Sequence, residues 1–418
     1  MKCLFVLLLL HSCGFAADFF VTPEGAGTRD ASRAEHAAAG TSISSLFDRM
    51  AAGDRLLLGA GNYQGLSLAF TSGGSPGRPK IVEGAPGAIF TSDWSIEKPD
   101  KGSTAIVLGP GLSHVVFKNL SISRYCFAIR AAPSKESPRS HLTFENIAID
   151  QVRHGFYLAD CDDLAVLHCT TKRYSKHGFR FDQGCDRVAL KGCVADCSEG
   201  DPVWETKTEV FPFGFILNDG GAPNTGFLLE DCVAKNNIKS NQTVKYTNGD
   251  GFVAEGNNSD VRFARCHALR NQDGGFDIKV DHAKFTDCVA TGHRRDFRIW
   301  RSATLKNCFA GGSQTGLWTQ GGPVAVESCT FLAHRKCALE IEDKSTGPVT
   351  LTNCLIVSEE QDYTVSIGRF EGAESTVVAK TSAGFGFASP DSKWNGDCKA
   401  MDSSKFPDKG FNSARISR

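Results

Sequence analysis

A five-residue phrase recurs along the chain, its apolar positions fixed and its intervening positions free to change. It reads His154-Gly155-Phe156-Tyr157-Leu158, His177-Gly178-Phe179-Arg180-Phe181, Phe213-Gly214-Phe215-Ile216-Leu217, Asp250-Gly251-Phe252-Val253-Ala254 and Gly274-Gly275-Phe276-Asp277-Ile278. Degenerate copies follow at Asp296-Phe297-Arg298-Ile299 and Thr315-Gly316-Leu317-Trp318. Most successive copies lie about 20–24 residues apart, the repeat length of a β-solenoid with three short strands per turn. Two longer intervals hold insertions near 198–212 and 219–247; insertions in a solenoid project from one face and often build a binding wall. The Leu-x-x-Leu-x-Leu-x-x-Asn pattern of leucine-rich repeats is missing. The chain is therefore expected to be all-β, a right-handed parallel β-helix.

Composition agrees: Gly 43 and Phe 29 are high and Met 3 is low, which suits glycine-rich turns and apolar strands. The formal net charge is −1, from 46 basic and 47 acidic residues. That excludes a chain built as a whole for nucleic acid or a membrane surface.

Met1-Lys2-Cys3, the apolar run Leu4 to Leu10 and then Gly14-Phe15-Ala16-Ala17 read as a secretory signal over residues 1–17. It is too short to span a bilayer, and no other run approaches the ~20 apolar residues that spanning needs. A lipidated Cys13 is the alternative, with His11 and Ser12 forming a poor lipobox. The mature protein is expected to be secreted, extracellular or periplasmic, and monomeric.

Sixteen cysteines in a secreted chain first suggest disulfides. Cys169, Cys193, Cys232, Cys266, Cys288, Cys308, Cys329 and Cys354, however, occupy one repeated slot. Identical slots on adjacent coils stack ~4.8 Å apart with parallel side chains, which is poor disulfide geometry. A ladder of buried free thiols is predicted.

Four segments follow: the signal, an N-terminal cap with first coils (18–104), the repeats (105–381) and a C-terminal cap or tail (382–418). Within the cap, Ile43, Leu46 and Met50 fall on one face of an amphipathic helix predicted over 42–52, suited to closing the open end of the stack.

In a strand, alternate side chains take opposite sides. The Phe and the following apolar residue of each phrase point inward, so the intervening positions form outward columns. One column reads Tyr157, Arg180, Ile216, Val253, Asp277, Arg298, Trp318. The next reads Ala159, Asp182, Asn218, Glu255, Lys279, Trp300, Gln320. Asp277 and Arg298 become neighbours, with Asp250 and Asp273 close by. Carboxylates packed this closely repel unless a cation intervenes, and oxygen-only ligands favour a hard ion such as Ca²⁺. The plainer reading is Asp-Gly turn chemistry and a surface ion pair. Tyr157, Trp300 and Trp318 are candidate platforms for sugar rings. Arg180, Arg294, Arg295 and Arg301 suit an anionic polymer. The histidines at 154, 177, 282 and 293 are read as structural or solvent-facing.

The stretch Asn248-Gly249-Asp250-Gly251-Phe252, then Asn271-Gln272-Asp273-Gly274-Gly275-Phe276-Asp277, resembles the calcium site of β-helical pectate lyases of polysaccharide lyase family 9. The N-terminal order of strand, amphipathic helix, Gly53-Asp54 and Gly61-Asn62-Tyr63 is similar too. The motif-level resemblance covers about residues 248–300. It implies Ca²⁺ ligation by Asp250, Asp273 and Asp277, with Gly274 standing where the family has a further Asp. It places Arg298 at the lysine that removes the substrate proton; the alternative is that Arg298 clamps the substrate carboxylate bidentately, with Lys279 as the reserve base. The implied activity is calcium-assisted β-elimination of an acidic, uronic-acid-containing polysaccharide. The alternatives are a C5-epimerase, which begins with the same proton abstraction, a two-carboxylate glycoside hydrolase, and a non-catalytic glycan-binding or adhesin-like β-helix.

Overall fold

The computed structural model describes residues 16–207, 209–218, 220–239, 248–342, 347–357, 366–370, 377–380, 382–385 and 397–399. The leader with Cys13, apart from Ala16 and Ala17, lies outside these residues. So do Asn241 and Tyr246 of the second insertion and most of the expected C-terminal cap.

The chain winds as a parallel β-helix. A representative coil runs from strand Ser259–Ala264 to His267–Leu269 to Gly274–Ile278, and the next coil begins at Ala283–Thr286. Each strand pairs in parallel with its counterpart one coil away: Phe263 lies opposite Phe285, Ala268 opposite Ala290, and Phe276 opposite Phe297. The first face is already continuous from Asp18–Thr22 through Arg55–Leu58, Lys80–Gly84 and Ser113–Lys118, so coils precede residue 105.

Two corners of the coil are turned by single residues in the left-handed region. At one corner these are His168, Asp231, Arg265, Asp287, Asn307, Ser328 and Asn353, with φ between 50° and 56°. Each precedes a ladder cysteine. The thirteen cysteines from Cys126 to Cys354 are free and buried. The Cys266 Sγ lies 3.2 Å from the Leu229 carbonyl of the coil below, a weak donor satisfied between coils. A thiol reagent is therefore expected to leave these cysteines untouched in the native protein and to label all of them after denaturation. Labelling of Cys266 or Cys288 without denaturant would contradict the ladder.

Inside, the phenylalanines of the repeated phrase form one stack. Phe156, Phe179, Phe215, Phe252, Phe276 and Phe297 lie 4.6–5.1 Å apart, their planes within 13°. Aromatic pairs of this kind contribute about 0.5–1.5 kcal/mol each beyond area burial. The glycine before each of the first five has a separate cause. A Cβ on Gly251 would lie 2.7 Å from the Gly275 carbonyl, and one on Gly275 would lie 2.6 Å from that of Asp296. The next coil passes too close for any side chain there.

The N-terminal end is covered by helix Ile43–Arg49, which buries Ile43, Leu46 and Phe47. Phe47 meets Phe70 edge-on at 4.7 Å. No helix among the described residues is long and apolar enough to cross a membrane.

Candidate functional site

Three strands on one face position the site: Asp250–Ala254, Gly274–Ile278 and Arg295–Ile299. The outward column exists in register: Arg180 opposite Ile216, Ile216 opposite Val253, Val253 opposite Asp277, Asp277 opposite Arg298, and Arg298 opposite Trp318. It is a packed trough rather than an exposed stripe, since Ile216, Val253, Asp277 and Trp318 are 2–4 % exposed.

The three aspartates converge as expected, and all are buried. Asp250 opens its strand, and its Oδ1 accepts the Gly274 N–H at 2.6 Å. A Cβ at position 274 would stand 2.8 Å from that same oxygen. Gly274 thus supplies a backbone donor where a side chain would push Asp250 aside. Burial, then repulsion from Asp277 and Asp273, lifts the Asp250 carboxyl well above the usual carboxylate range. Burial also raises Asp273, against the pull of Arg298, Arg294 and Arg295. Asp273 Oδ1 is buried and accepts no hydrogen bond; the Arg294 Nη1 is 3.5 Å away.

The Arg298 Nη1 bridges Asp273 Oδ2 at 3.4 Å and Asp277 Oδ2 at 3.6 Å. These are loose ion contacts, and the side chain is 19 % exposed. Its guanidinium lies over the Trp300 ring at 4.6 Å and the Trp318 ring at 5.4 Å. The Trp300 Nε1 donates to Asp277 Oδ1 at 2.6 Å. Lys279 is held differently: its Nζ binds both Glu255 oxygens at 2.8 and 2.9 Å and reaches Asp277 Oδ2 only at 3.7 Å. Burial and the neighbouring Arg298 and Arg294 push the Arg295 guanidinium below its usual range.

Asp250, Asp273, Asp277, Arg298, Lys279 and Trp300 therefore form one cluster. Trp318 belongs to it as packing. It is 4 % exposed, edge-on to Trp300 at 4.8 Å, with Arg295 and Arg298 over its ring. It is not the open sugar platform read from the column. Arg301 is not in the cluster: it pairs with Asp281 at 3.2 Å and lines a separate cavity with His282 and Lys284. Arg180, three coils away, pairs with Asp182 beside Tyr157. The sequence reading missed Glu255 as the partner of Lys279, although the two stand one coil apart in the same column.

The donor set suits a hard cation in kind: buried carboxyls, two of them raised and one with an oxygen that accepts no hydrogen bond. As they stand, no three acidic or imidazole groups among the described residues enclose a common point. The Arg298 guanidinium, between Asp273 and Asp277, supplies the positive charge.

No family model and no curated protein matches the sequence. Solved structures do. A pectate lyase, Pel9A, superposes with a TM-score of 0.54 at 17% identity, over 89% of this chain and 80% of its own. The chain has a pectate lyase-like β-helix fold. The catalytic unit of a GH87 α-1,3-glucanase from Streptomyces thermodiastaticus gives 0.53 at 12% identity, covering 92% and 70%. A mannuronic acid-specific family 6 lyase from human gut microbiota gives 0.50 at 11%, covering 94% and 85%. At these identities the likeness is one of fold.

Proposed function

We propose that the protein is a secreted polysaccharide lyase acting on a uronic-acid-containing polymer of the pectate kind by β-elimination. The observation that carries this is the Asp250, Asp273, Asp277 and Arg298 cluster in a trough of one β-helix face. The fold neighbours that act on acidic polysaccharides support it.

In this reaction the carbon α to the substrate carboxylate gives up its proton. The electron pair forms a double bond to the adjacent carbon, the glycosidic C–O bond there breaks, and the departing oxygen is protonated. The need is a base at the α-proton and positive charge on the carboxylate. Asp250, Asp273 and Asp277 are the proposed Ca²⁺ ligands, and the ion would withdraw charge from the substrate carboxylate as the enolate-like intermediate forms. We assign Arg298 as the base: it is partly exposed, holds its aspartates only loosely and lies beside both. Lys279 is the weaker candidate because Glu255 engages its amine directly. The exposed part of Trp300 orients the substrate ring, and its indole N–H fixes Asp277.

The test is incubation with polygalacturonate, alginate and chondroitin, in Ca²⁺ or EDTA, following absorbance of the unsaturated product. A Ca²⁺-dependent rise on one polymer is expected. Binding of these polymers with no rise on any of them would replace the lyase with a non-catalytic glycan-binding β-helix.

A further inference from the structure

Two to three coils before the aspartate cluster, on the same face, lies a cavity of about 300 Å³ lined by His154, His177, Lys176, Arg153, Arg180 and Tyr157, among others. Nothing in the lyase chemistry uses it. His177 lies opposite Phe213, and Phe213 opposite Asp250. The cavity is thus two strand spacings, ~10 Å, from the first aspartate.

The hydrogen bonds in this cavity do not close. His154 Nδ1 and His177 Nδ1 are 2.8 Å apart, so one must donate and the other accept. Both rings are nearly fully buried, at 4 % and 1 % exposed, and burial followed by the surrounding positive charges holds both neutral. The Arg153 Nε–H donates to His154 Nε2 at 3.1 Å, which puts the His154 proton on Nδ1. That proton goes to His177 Nδ1, so His177 carries its own proton on Nε2. There it faces the Arg180 Nη1 at 3.3 Å, another donor. Two N–H groups converge with no acceptor between them. Reversing the imidazole pair only moves the conflict to Arg153.

Of the charged groups lining the cavity, Arg153, Lys176 and Arg180 are basic and Asp100 is acidic. Arg180 satisfies Asp182 through Nε and Nη2, leaving Nη1 to the cavity. Arg153 is balanced by Asp100, whose side chain is 76 % exposed. Lys176 takes no ion pair among the described residues, and burial with the nearby Arg153 and Arg180 lowers its pKa.

We infer that this cavity is an anion subsite that takes a uronate carboxylate of the same polymer, received by the His177 Nε2–H, the Arg180 Nη1–H and the Lys176 ammonium. The aromatic ring of Tyr157, under Arg180 at 5.0 Å, floors it. The inference rests on the polyuronate reading. It adds a second point of attachment, so that one chain lying along the column reaches both sites.

The test is calorimetric binding of galacturonate and mannuronate oligomers, and of their carboxyl-reduced neutral counterparts, in EDTA, so that neither Ca²⁺ nor turnover contributes. Lys176→Met is expected to weaken charged-oligomer binding roughly 10–100-fold and to leave neutral-oligomer binding unchanged. His177→Phe is the second variant. It continues a column that already holds Phe127 and Phe213 in register and removes only the polar edge. It should show the same selective loss. Wild-type affinity for the charged oligomers in both variants overturns the subsite, as does equal loss for charged and neutral oligomers. If the wild type yields no unsaturated product but binds charged oligomers through Lys176, the lyase reading fails and the subsite stands.

Discussion

Arg298→Ala is expected to lower kcat/KM on the preferred polyuronate by ~10²–10⁴, the range ascribed to a positioned acid or base. Arg298→Lys should stay within about tenfold of wild type, because lysine shifts its pKa more readily than arginine. The comparison separates base from clamp. A residue needed only for bidentate grip on a carboxylate loses that grip on becoming lysine, whereas a base does not. Stability adds a second readout. Arg298 stands between Asp273 and Asp277, whose side chains are 4 % and 6 % exposed, so alanine removes the cation these two buried carboxylates share and leaves only the contacts of Arg294 at 3.5 Å and Lys279 at 3.7 Å. Arg298→Ala should melt lower than Arg298→Lys in EDTA, and Ca²⁺ should narrow that gap. Full activity in Arg298→Ala would remove the base assignment.

The second large effect lies at Asp250, and its sign runs opposite for stability and function. The folded-state pKa of Asp250 is raised by burial and by Asp277 and Asp273. Its stability contribution is therefore fully present below the unfolded value of about 3.9. It is lost as pH rises through the raised folded value. Asp250→Asn keeps an oxygen for the Gly274 N–H and removes that repulsion. In Ca²⁺-free buffer at neutral pH it should stabilise the protein by about 1–3 kcal/mol and flatten the pH dependence of melting. It should also abolish Ca²⁺-dependent activity and the Ca²⁺-induced rise in melting temperature. In the wild type the stabilisation behind that rise is ~2.7 kcal/mol when Ca²⁺ is at a hundred times its Kd. Equal Ca²⁺ shifts in wild type and variant would remove Asp250 from the ligand set.

The fold was legible because one period governs every coil. The repeated phrase identified the inward Phe stack, the outward columns and, through the recurring cysteine slot, the thiol ladder, all without long-range information. The aspartate cluster was legible for the same reason: equivalent strand positions on consecutive coils must be neighbours. Burial was not legible. A column residue is covered or open according to the length and bend of its neighbours, which is why Trp318 reads as a platform and is instead enclosed by Arg295, Arg298 and Trp300. Nor was the side to which a residue past the strand end turns. Arg301 follows Trp300 directly yet pairs with Asp281 around the corner. The His154–His177 pair stood in plain view, one residue before Gly-Phe in consecutive repeats. Its meaning lay in where the ring protons go, which needs the distances to Arg153 and Arg180.

The central claim is that the trough breaks a polyuronate by elimination, and the mass of the products tests it most directly. Elimination cleaves the chain without taking up water and leaves a new end lighter by one water than a hydrolytic fragment. Digestion in ¹⁸O-labelled water followed by mass spectrometry should give shortened oligomers with unsaturated, unlabelled non-reducing ends, formed ~10²–10⁴ times more slowly with Arg298→Ala. Fragments whose new non-reducing ends are saturated, heavier by one water, would make the enzyme a hydrolase, and uncut chains with inverted C5 centres an epimerase. Either result would contradict the account.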